Sequence, residues 1–224
     1  LGDVYKRQEV ERVTAMWEKF KKVIGHRIVP VVAIQEVENA TPLAEALIAG
    51  GLPCAEITFR TAAAEAVIES MAGRGDMLVG AGTVLKIEQV KMAIDAGACF
   101  IVAPGFNPTV VEYCIKHAIP VTPGVATPTD IEKAIGFGLD IVKFFPAEAF
   151  GGLKTLQAIS APYTMMKFIP TGGINAGNVA EYLRHPKVAA VGGSWMVSSS
   201  LISGGQFETI TRLTKEAVAL AEKS

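Results

Sequence analysis

The sequence predicts an α/β fold, a (β/α)8 or TIM barrel with an extra N-terminal helix. Apolar strand-like runs alternate with helical segments about every 20 to 25 residues, a pattern typical of parallel sheets with helical crossovers. Eight such units fit into the 224 residues, and the pairs Ala49-Gly50 and Ala96-Gly97 resemble helix ends. An open doubly wound sheet is the alternative, but no GxGxxG motif follows the first strand.

The chain is expected to begin with a helix that covers one end of the core. Residues 1–8 start without Met and lack apolar periodicity, so they are interpreted as a remnant of cloning or gene prediction. Over residues 9–25 the apolar positions repeat at helical spacing up to Ile24, and Gly25 follows as a stop. Residues 9–224 are expected to form one domain, because single barrels commonly have this length.

Eight apolar runs are predicted to be strands, and each is followed by a predicted helix. The strands are predicted at residues 28–34, 55–58, 78–82, 100–103, 119–122, 141–144, 167–171 and 189–192. The helices are predicted at residues 42–49, 62–71, 87–96, 108–117, 128–135, 153–160, 176–184 and 206–222. In a closed barrel the carboxyl ends of the strands meet at one rim, where barrel enzymes carry their chemistry.

Composition favours a small-molecule partner over nucleic acid or a membrane. The formal net charge is -1 and half the residues are hydrophobic, without a basic patch or an acidic tail. Every apolar run is broken by Gly, Pro or charge before it could span a bilayer. An odd number of cysteines, no CxxC pair and no secretory leader predict a cytoplasmic protein with the cysteines in its core. The three histidines do not cluster, so no metal site is predicted.

Lys143 is the most unusual residue, because it lies inside the apolar run at residues 141–146. A lysine is rarely buried without a partner or a chemical role. Burial lowers the pKa of an amine, and the neutral amine can form a Schiff base with a carbonyl substrate. On the local sequence, a lysine that ends the strand and extends its amine to water explains the pattern equally well.

Glu56 is the candidate partner of Lys143, and Arg60 is a candidate binding residue for its substrate. Period-two alternation places Glu56, Thr58 and Arg60 on one side of the second strand, which should face the lumen. A carboxylate in a partly apolar mouth has a raised pKa and can transfer protons, although a plain salt bridge is the alternative. The forked guanidinium of Arg60 suits a substrate carboxylate, and a solvated loop arginine is its alternative.

Two glycine pairs follow the last two strands and predict a phosphate site. They are Gly172-Gly173, which leads into the helix predicted from residue 176, and Gly192-Gly193, which is followed by Ser194. Glycine permits close backbone approach, and peptide N–H groups at a helix start bind anions. Tight turns also use such pairs. Barrels often bind phosphate with these two loops, and both carry a pair here.

Two further strand-end residues, Thr83 and Pro104, have less specific signals. The hydroxyl of Thr83 either donates to a substrate oxygen or caps the following helix. Pro104 is interpreted as a residue that rigidifies the rim.

Five segments closely resemble the bacterial 2-keto-3-deoxy-6-phosphogluconate (KDPG) aldolases, some of which also split 4-hydroxy-2-oxoglutarate. They are EITFRT at 56–61, VGAGTV at 79–84, VKFFPAE at 142–148, PTGGI at 170–174 and GGSW at 192–195. The resemblance extends from about residue 28 to the C-terminus, and the lysine of the KFFPAE-like motif is its most specific feature. It implies a metal-independent class I aldolase of barrel fold, without a cofactor beyond the covalent imine, that is usually a homotrimer.

The resemblance also implies a role for each matched residue. Lys143 would form the imine with C2 of a keto-acid phosphate, and Glu56 would move protons, releasing pyruvate and glyceraldehyde 3-phosphate. The residues at the pyruvyl carboxylate would be Arg60 and Thr83, with Pro104 lining the site. Those at the hydroxyls and the distal phosphate would be Thr171 and then Gly172, Gly173, Gly193 and Ser194.

Three other functions compete with this interpretation. The galactonate-derived epimer of the substrate differs by one inverted hydroxyl, which changes only a few contacts. A phosphosugar isomerase or epimerase would share the glycine pairs without needing a buried lysine. A non-catalytic phosphosugar-binding barrel would have no use for both Glu56 and Lys143.

Overall fold

A computed structural model describes the backbone of residues 2–224 and the side chains of residues 14–224. Strands and helices alternate along this part of the chain. The strands are β1 (Ile28–Val32), β2 (Cys54–Thr58), β3 (Leu78–Gly82), β4 (Ile101–Val102), β5 (Val121–Thr122), β6 (Gly124–Val125), β7 (Ile141–Phe144), β8 (Lys167–Pro170) and β9 (Val191–Gly193). The helices are α1 (Gly2–Gly25), α2 (Ala40–Ala49), α3 (Ala64–Gly73), α4 (Ile87–Asp95), α5 (Pro108–Lys116), α6 (Pro128–Gly136), α7 (Gly152–Ser160), α8 (Val179–Arg184), α9 (Ser199–Ser203) and α10 (Phe207–Glu222).

The paired strands are parallel, as the alternating pattern predicts. They form a curled six-stranded sheet in the order β5-β4-β3-β2-β1-β9 and a three-stranded sheet in the order β6-β7-β8. Isolated parallel bridges join Phe168 to Val188 and Thr171 to Gly192, between β8 and the segment containing β9. The strands and their directions thus match the prediction, while the ladder pairing divides into two sheets rather than one continuous barrel.

Pro123 explains why the fifth strand, predicted at residues 119–122, is followed at once by a second short strand. A proline has no N–H to donate to a ladder, so β5 ends just before it and β6 begins just after it. The proline carbonyl still accepts a hydrogen bond from the Lys143 amide over 2.9 Å. The chain therefore remains extended past the predicted strand end and supports the strand that carries Lys143.

Helix α1 packs on the end of the sheets where the strands begin. Phe20 and Val23 are buried together with Val29, Cys54 and Phe100, as i and i+3 positions on one helix face permit. The helix begins at Gly2 rather than near residue 9, because the intervening residues include good helix formers and lack proline. The leading helix thus covers one end of the core.

The three cysteines are core residues, as predicted. Cys54, Cys99 and Cys114 are buried and free of disulfides. Burial raises the pKa of the Cys54 and Cys114 thiols to about 12 and that of Cys99 to about 11. Thiols this weakly acidic are poor nucleophiles at neutral pH. None of the helices in the described part of the chain combines the length and apolar character needed to cross a bilayer.

Candidate active site

Lys143 on β7 and Glu56 on β2 meet inside the curled strands. Lys143 is 6% exposed and Glu56 is 4% exposed. Lys143 Nζ donates to Glu56 Oε1 over 3.3 Å, between residues 87 positions apart in sequence. The amine does not extend to bulk water, which contradicts the strand-end alternative. A salt bridge does form, but desolvating both charges is costly, so stability alone is a weak reason for the pair.

Gly82 on β3 makes room for the Glu56 carboxylate of this buried pair. A Cβ at Gly82 would lie 2.7 Å from both Cγ and Cδ of Glu56 and would overlap its carboxylate. Carbon atoms at optimal contact are about 3.5 to 4 Å apart, so Glu56 could not keep its position. A Cβ at Gly80, two residues earlier, would overlap the Phe100 ring. Gly82 thus leaves room for Glu56, whereas sequence reasoning treated it only as a strand end.

The space between the Lys143 amine and α1 is closed by apolar side chains. About 10 Å³ is open there, roughly the room of one water molecule. Thr122 and Thr171 complete the polar part of the lining, and the apolar part consists of Phe20, Val23, Ile24, Val29, Phe100, Val102 and Ile169. On another side, the centre of the Phe145 ring lies 5.2 Å from the Lys143 amine. A substrate cannot approach through the α1 side.

A second cavity of about 130 Å³ opens at the carboxyl ends of β8 and β9. It contains all four residues expected at a phosphate and is lined by Val31, Arg60, Phe145, Thr171, Gly172, Gly173, Ile174, Gly192, Gly193 and Ser194. Thr171 lines both cavities and is buried. Its side chain therefore lies between the Lys143 amine and the two glycine pairs.

Backbone amides in this cavity are available to an anion. Within the described residues, the N–H groups of Gly173, Ile174 and Ser194 donate to no backbone acceptor outside the strand ladders. Gly172 and Gly173 have φ angles of +97° and +83°, which residues other than glycine rarely adopt. Successive amides in such conformations form a concave anion-binding surface.

The first glycine pair leads into a turn rather than directly into a helix. The helix predicted from residue 176 begins at Val179, because asparagine side chains satisfy the backbone of the preceding turn. Asn175 and Asn178 each donate a side-chain amide to the Gly173 carbonyl over 3.1 Å. In a trans peptide the following N–H, that of Ile174, points the opposite way. The turn therefore orients the glycine loop without a helix N-terminus.

Arg60 lies at the rim of the cavity that contains the glycine pairs. Its side chain is exposed, and its Nε donates to Thr58 Oγ1 over 3.2 Å. Thr58 in turn donates to the Val32 carbonyl over 2.7 Å. Among the described residues Arg60 has no carboxylate partner. Its guanidinium is therefore positioned by the end of β2 while its charge is available to an anion.

Thr83 follows β3 in a left-handed conformation with φ of +57°. This conformation is strained for a β-branched residue, and such strain occurs mainly at functional sites. The capping alternative is wrong, because the residue that caps α4 is Lys86 and no side chain bonds there. Within the described residues the Thr83 hydroxyl has no protein partner, and Thr83 lines neither of the two cavities.

Pro104 lies next to β6, the strand that pairs with the Lys143 strand. A Cβ at Gly124 would overlap the Pro104 carbonyl, and Gly124 is the strand partner of Lys143. Pro104 lines neither cavity. The structure therefore brings it close to the lysine strand through its backbone.

Glu148 and Tyr182 form a contact that the sequence reasoning missed. The Tyr182 hydroxyl donates to Glu148 Oε1, and burial together with this carboxylate raises the pKa of Tyr182. Glu148 belongs to the KFFPAE-like motif, which was its only sequence signal. Residues 14–224 contain no group of three or more His, Cys, Asp or Glu side chains that could hold a metal ion.

Comparison with known proteins identifies relatives over most of the chain. The family model "KDPG and KHG aldolase" matches residues 20–213. The 2-dehydro-3-deoxy-phosphogluconate aldolase of Treponema pallidum is 50% identical over 195 residues, which cover 87% of this chain and 93% of that protein. The KHG/KDPG aldolase of Escherichia coli K12 is 40% identical over 192 residues, covering 85% of this chain and 90% of that protein.

A solved structure shows the same similarity. The KDPG aldolase of Legionella pneumophila, with pyruvate captured at low pH as a covalent carbinolamine, aligns with a TM-score of 0.85 and 42% identity. The alignment covers 88% of this chain and 97% of that one.

Proposed function

Because the chain belongs to the KDPG and KHG aldolase family, we propose that it is a class I aldolase that needs no metal. It cleaves 2-dehydro-3-deoxy-6-phosphogluconate to pyruvate and glyceraldehyde 3-phosphate. The observation that carries this proposal is the buried Lys143–Glu56 pair, with 3.3 Å between amine and carboxylate. The carbinolamine of pyruvate in the Legionella pneumophila aldolase supports it, because that species precedes an imine.

Lys143 and Glu56 divide the chemistry between them. Proton transfer from the Lys143 ammonium to Glu56 leaves a neutral amine, which attacks C2 of the keto acid. The resulting carbinolamine loses water, with Glu56 donating the proton, and becomes a protonated imine. Both groups are desolvated, so these transfers occur without competition from bulk water.

Bond cleavage uses the imine as an electron sink. Glu56 removes the proton of the C4 hydroxyl, the C3–C4 bond breaks, and its electron pair moves through C2 to the imine nitrogen. Glyceraldehyde 3-phosphate leaves as the aldehyde, and an enamine of pyruvate remains on Lys143. Protonation at C3 and hydrolysis of the imine release pyruvate and restore the amine. Because the enamine is neutral, no metal is needed to stabilise an enolate.

The substrate-binding roles follow the positions of the other groups. Thr171 contacts the substrate hydroxyls, which its place between the two cavities supports. Gly172, Gly173, Gly193 and Ser194 hold the phosphate in the 130 Å³ cavity, and the unpaired amides there support this.

The pyruvyl carboxylate is assigned to residues at other strand ends. Arg60 and Thr83 bind it, and Pro104 lines the site. Among the described residues the Arg60 guanidinium has no carboxylate partner and the Thr83 hydroxyl has no protein partner, and the Thr83 backbone is strained; these observations support the first two assignments. For Pro104 the support is its backbone contact with Gly124, the strand partner of Lys143.

We also propose that the two sheets close into one (β/α)8 barrel and that residues 9–224 form a single domain. The two isolated bridges between β8 and the β9 segment support closure on one side. On the other, only Pro123 separates β5 from β6. A homotrimer in the cytoplasm is expected from the family and the cysteine pattern, and light scattering of the purified protein tests the oligomeric state.

Three related keto acids are candidate substrates. Some family members also split 4-hydroxy-2-oxoglutarate, and the Escherichia coli relative carries both activities in its name. The galactonate-derived epimer is the alternative substrate. A comparison of kcat/KM for the three compounds decides between them. An isomerase or a non-catalytic binding protein is disfavoured, because neither accounts for a buried lysine beside a carboxylate.

Borohydride trapping with pyruvate tests the function. The adduct of a reduced pyruvyl group should appear by mass spectrometry on the peptide containing Lys143. Lys143→Arg should abolish both the adduct and turnover, since a guanidinium cannot be deprotonated to attack a carbonyl. Lys167→Arg is the matched control, because Lys167 begins the neighbouring strand and is exposed. Cleavage should be insensitive to EDTA, and an adduct on a different lysine would overturn the assignment.

A further inference from the structure

The contact between Tyr182 and Glu148 joins two segments that border the glycine loop. Tyr182 lies on α8 and is 2% exposed, whereas Glu148 is an exposed residue after β7. The tyrosine hydroxyl donates to the carboxylate. Hydrogen bonds to a charged acceptor are stronger than those between neutral groups. This bond therefore fixes the direction of the Glu148 side chain.

Glu148 lies directly against the glycine loop. Its amide donates to the Gly172 carbonyl over 3.0 Å. A Cβ at Gly173 would be only 2.5 Å from Cβ and Cγ of Glu148, so the side chain packs on this glycine. The preceding residue repeats the pattern, since the Ala147 amide donates to the Thr171 carbonyl over 2.8 Å. The segment after β7 thus supports the loop from one side.

The other side of the loop is held from the same helix that carries Tyr182. Asn178 donates its side-chain amide to the Gly173 carbonyl. The Asn178 carbonyl accepts the Tyr182 amide over 3.3 Å, one helical turn later. Gly173 is therefore enclosed by a ring of contacts that runs through Asn178, Tyr182 and Glu148 and returns to Gly173.

We propose that Tyr182, acting through Glu148, is a positioning residue that holds the Gly172–Gly173 amides in the geometry that binds phosphate. The inference rests on the proposed function of the loop and adds a residue that touches neither the substrate nor Lys143. Without the hydroxyl, the Glu148 side chain is free to turn into solvent. The loop then loses support on one side and must be ordered by the ligand itself, which weakens binding.

The condensation of pyruvate with glyceraldehyde 3-phosphate provides the test, because only one of the two substrates carries a phosphate. Tyr182→Phe should raise the KM for glyceraldehyde 3-phosphate roughly three- to tenfold. The KM for pyruvate and kcat should stay within about twofold of the wild type, since uniform binding is lost rather than transition-state binding. Borohydride trapping of pyruvate on Lys143 should be unchanged.

Tyr163→Phe is the matched control. Tyr163 also donates to a glutamate, Glu132, over 3.1 Å, but on the surface away from the loop. It should leave every constant unchanged. Glu148→Ala, paired with Glu132→Ala, repeats the test at an exposed position, so that a folding defect of Tyr182→Phe does not decide the result. Glu148→Ala should raise the same KM selectively.

The outcomes distinguish a failure of the proposed phosphate site from a failure of the positioning role of Tyr182. If wild-type protein fails to condense the substrates, or uses unphosphorylated glyceraldehyde as well as the phosphate ester, the proposed phosphate site is wrong and the inference fails with it. If wild-type protein prefers the phosphate ester and both variants match it, only the positioning role is overturned. Equal rises in both KM values with a fall in kcat would also overturn it, because they indicate general disruption.

Discussion

Gly82→Ala should separate the activity of this protein from its stability. The added Cβ would lie 2.7 Å from Cγ and Cδ of Glu56, whereas such carbons need about 3.5 Å or more. The end of the Glu56 side chain must then shift by roughly 1 Å. That shift is inexpensive for the fold, because a side chain turns rather than a backbone, but it changes the 3.3 Å contact with Lys143.

The expected magnitude follows from the displacement. A misplacement of about 1 Å between reacting groups can cost roughly 100-fold in rate. The kcat for cleavage, measured by coupling pyruvate release to lactate dehydrogenase, should therefore fall about 100-fold. The free energy of unfolding in urea should fall by less than about 1 kcal/mol, since Gly82 does not have a positive φ and alanine is tolerated in strands better than glycine.

Gly80→Ala is the matched control on the same strand. Its Cβ would overlap the ring of Phe100, a large side chain that is 2% exposed. Overpacking a core typically costs about 1 to 3 kcal/mol. This variant should lose more stability than Gly82→Ala but less turnover, because its Cβ clashes with the Phe100 ring rather than with the Glu56 carboxylate. If Gly82→Ala keeps its turnover, or if both variants lose it equally, the steric role of Gly82 is refuted.

Two further predictions concern the stability of the fold. Thr214→Val should raise the free energy of unfolding by about 1 kcal/mol in urea titrations, because the buried Thr214 hydroxyl has no hydrogen-bond partner among the described residues. An unchanged or lower value would indicate a partner for it. Cys54→Ala should reduce the loss of stability between pH 9 and about 12, because burial raises the pKa of Cys54 from 9.0 to about 12. Over that window the folded state retains a proton that the unfolded state releases, so stability falls as pH rises; identical pH slopes for the variant and the wild type would contradict this.

The order and direction of the strands were predictable because buried parallel strands are apolar throughout. The sequence predicts only part of what happens at Pro123. A proline predicts the end of a ladder, but the chain stays extended because β7 approaches and the Lys143 amide bonds to the Pro123 carbonyl. That partner is distant in sequence, so no local pattern indicates it. The late start of α8 has a local origin instead, because it depends on Asn178 bonding back to Gly173, five residues earlier.

The contact between Lys143 and Glu56 was predictable for a different reason. Lys143 and Glu56 are polar residues in apolar strands, and parallel topology places strand ends together even when 87 positions separate them. Tyr182 gave no such signal, because a tyrosine on an amphipathic helix is ordinarily a core residue. Its importance arises from the carboxylate at its hydroxyl, and that contact exists only after the loops have come together.

Two of the buried polar residues, Glu56 and Thr171, each lie against a glycine of an adjacent strand. Gly82 leaves room for Glu56, and a Cβ at Gly192 would lie 3.0 Å from Thr171 Cγ2 and closer to its hydroxyl. Glycine inside a strand lowers stability by roughly 0.5 to 1 kcal/mol relative to alanine, so these positions reduce the stability of the fold. A buried lysine and carboxylate cannot be accommodated by apolar packing alone, since each needs space for its head group as well as a partner. A polar residue in one strand and a glycine in the adjacent one therefore form a single signal, which indicates a site more specifically than either residue alone.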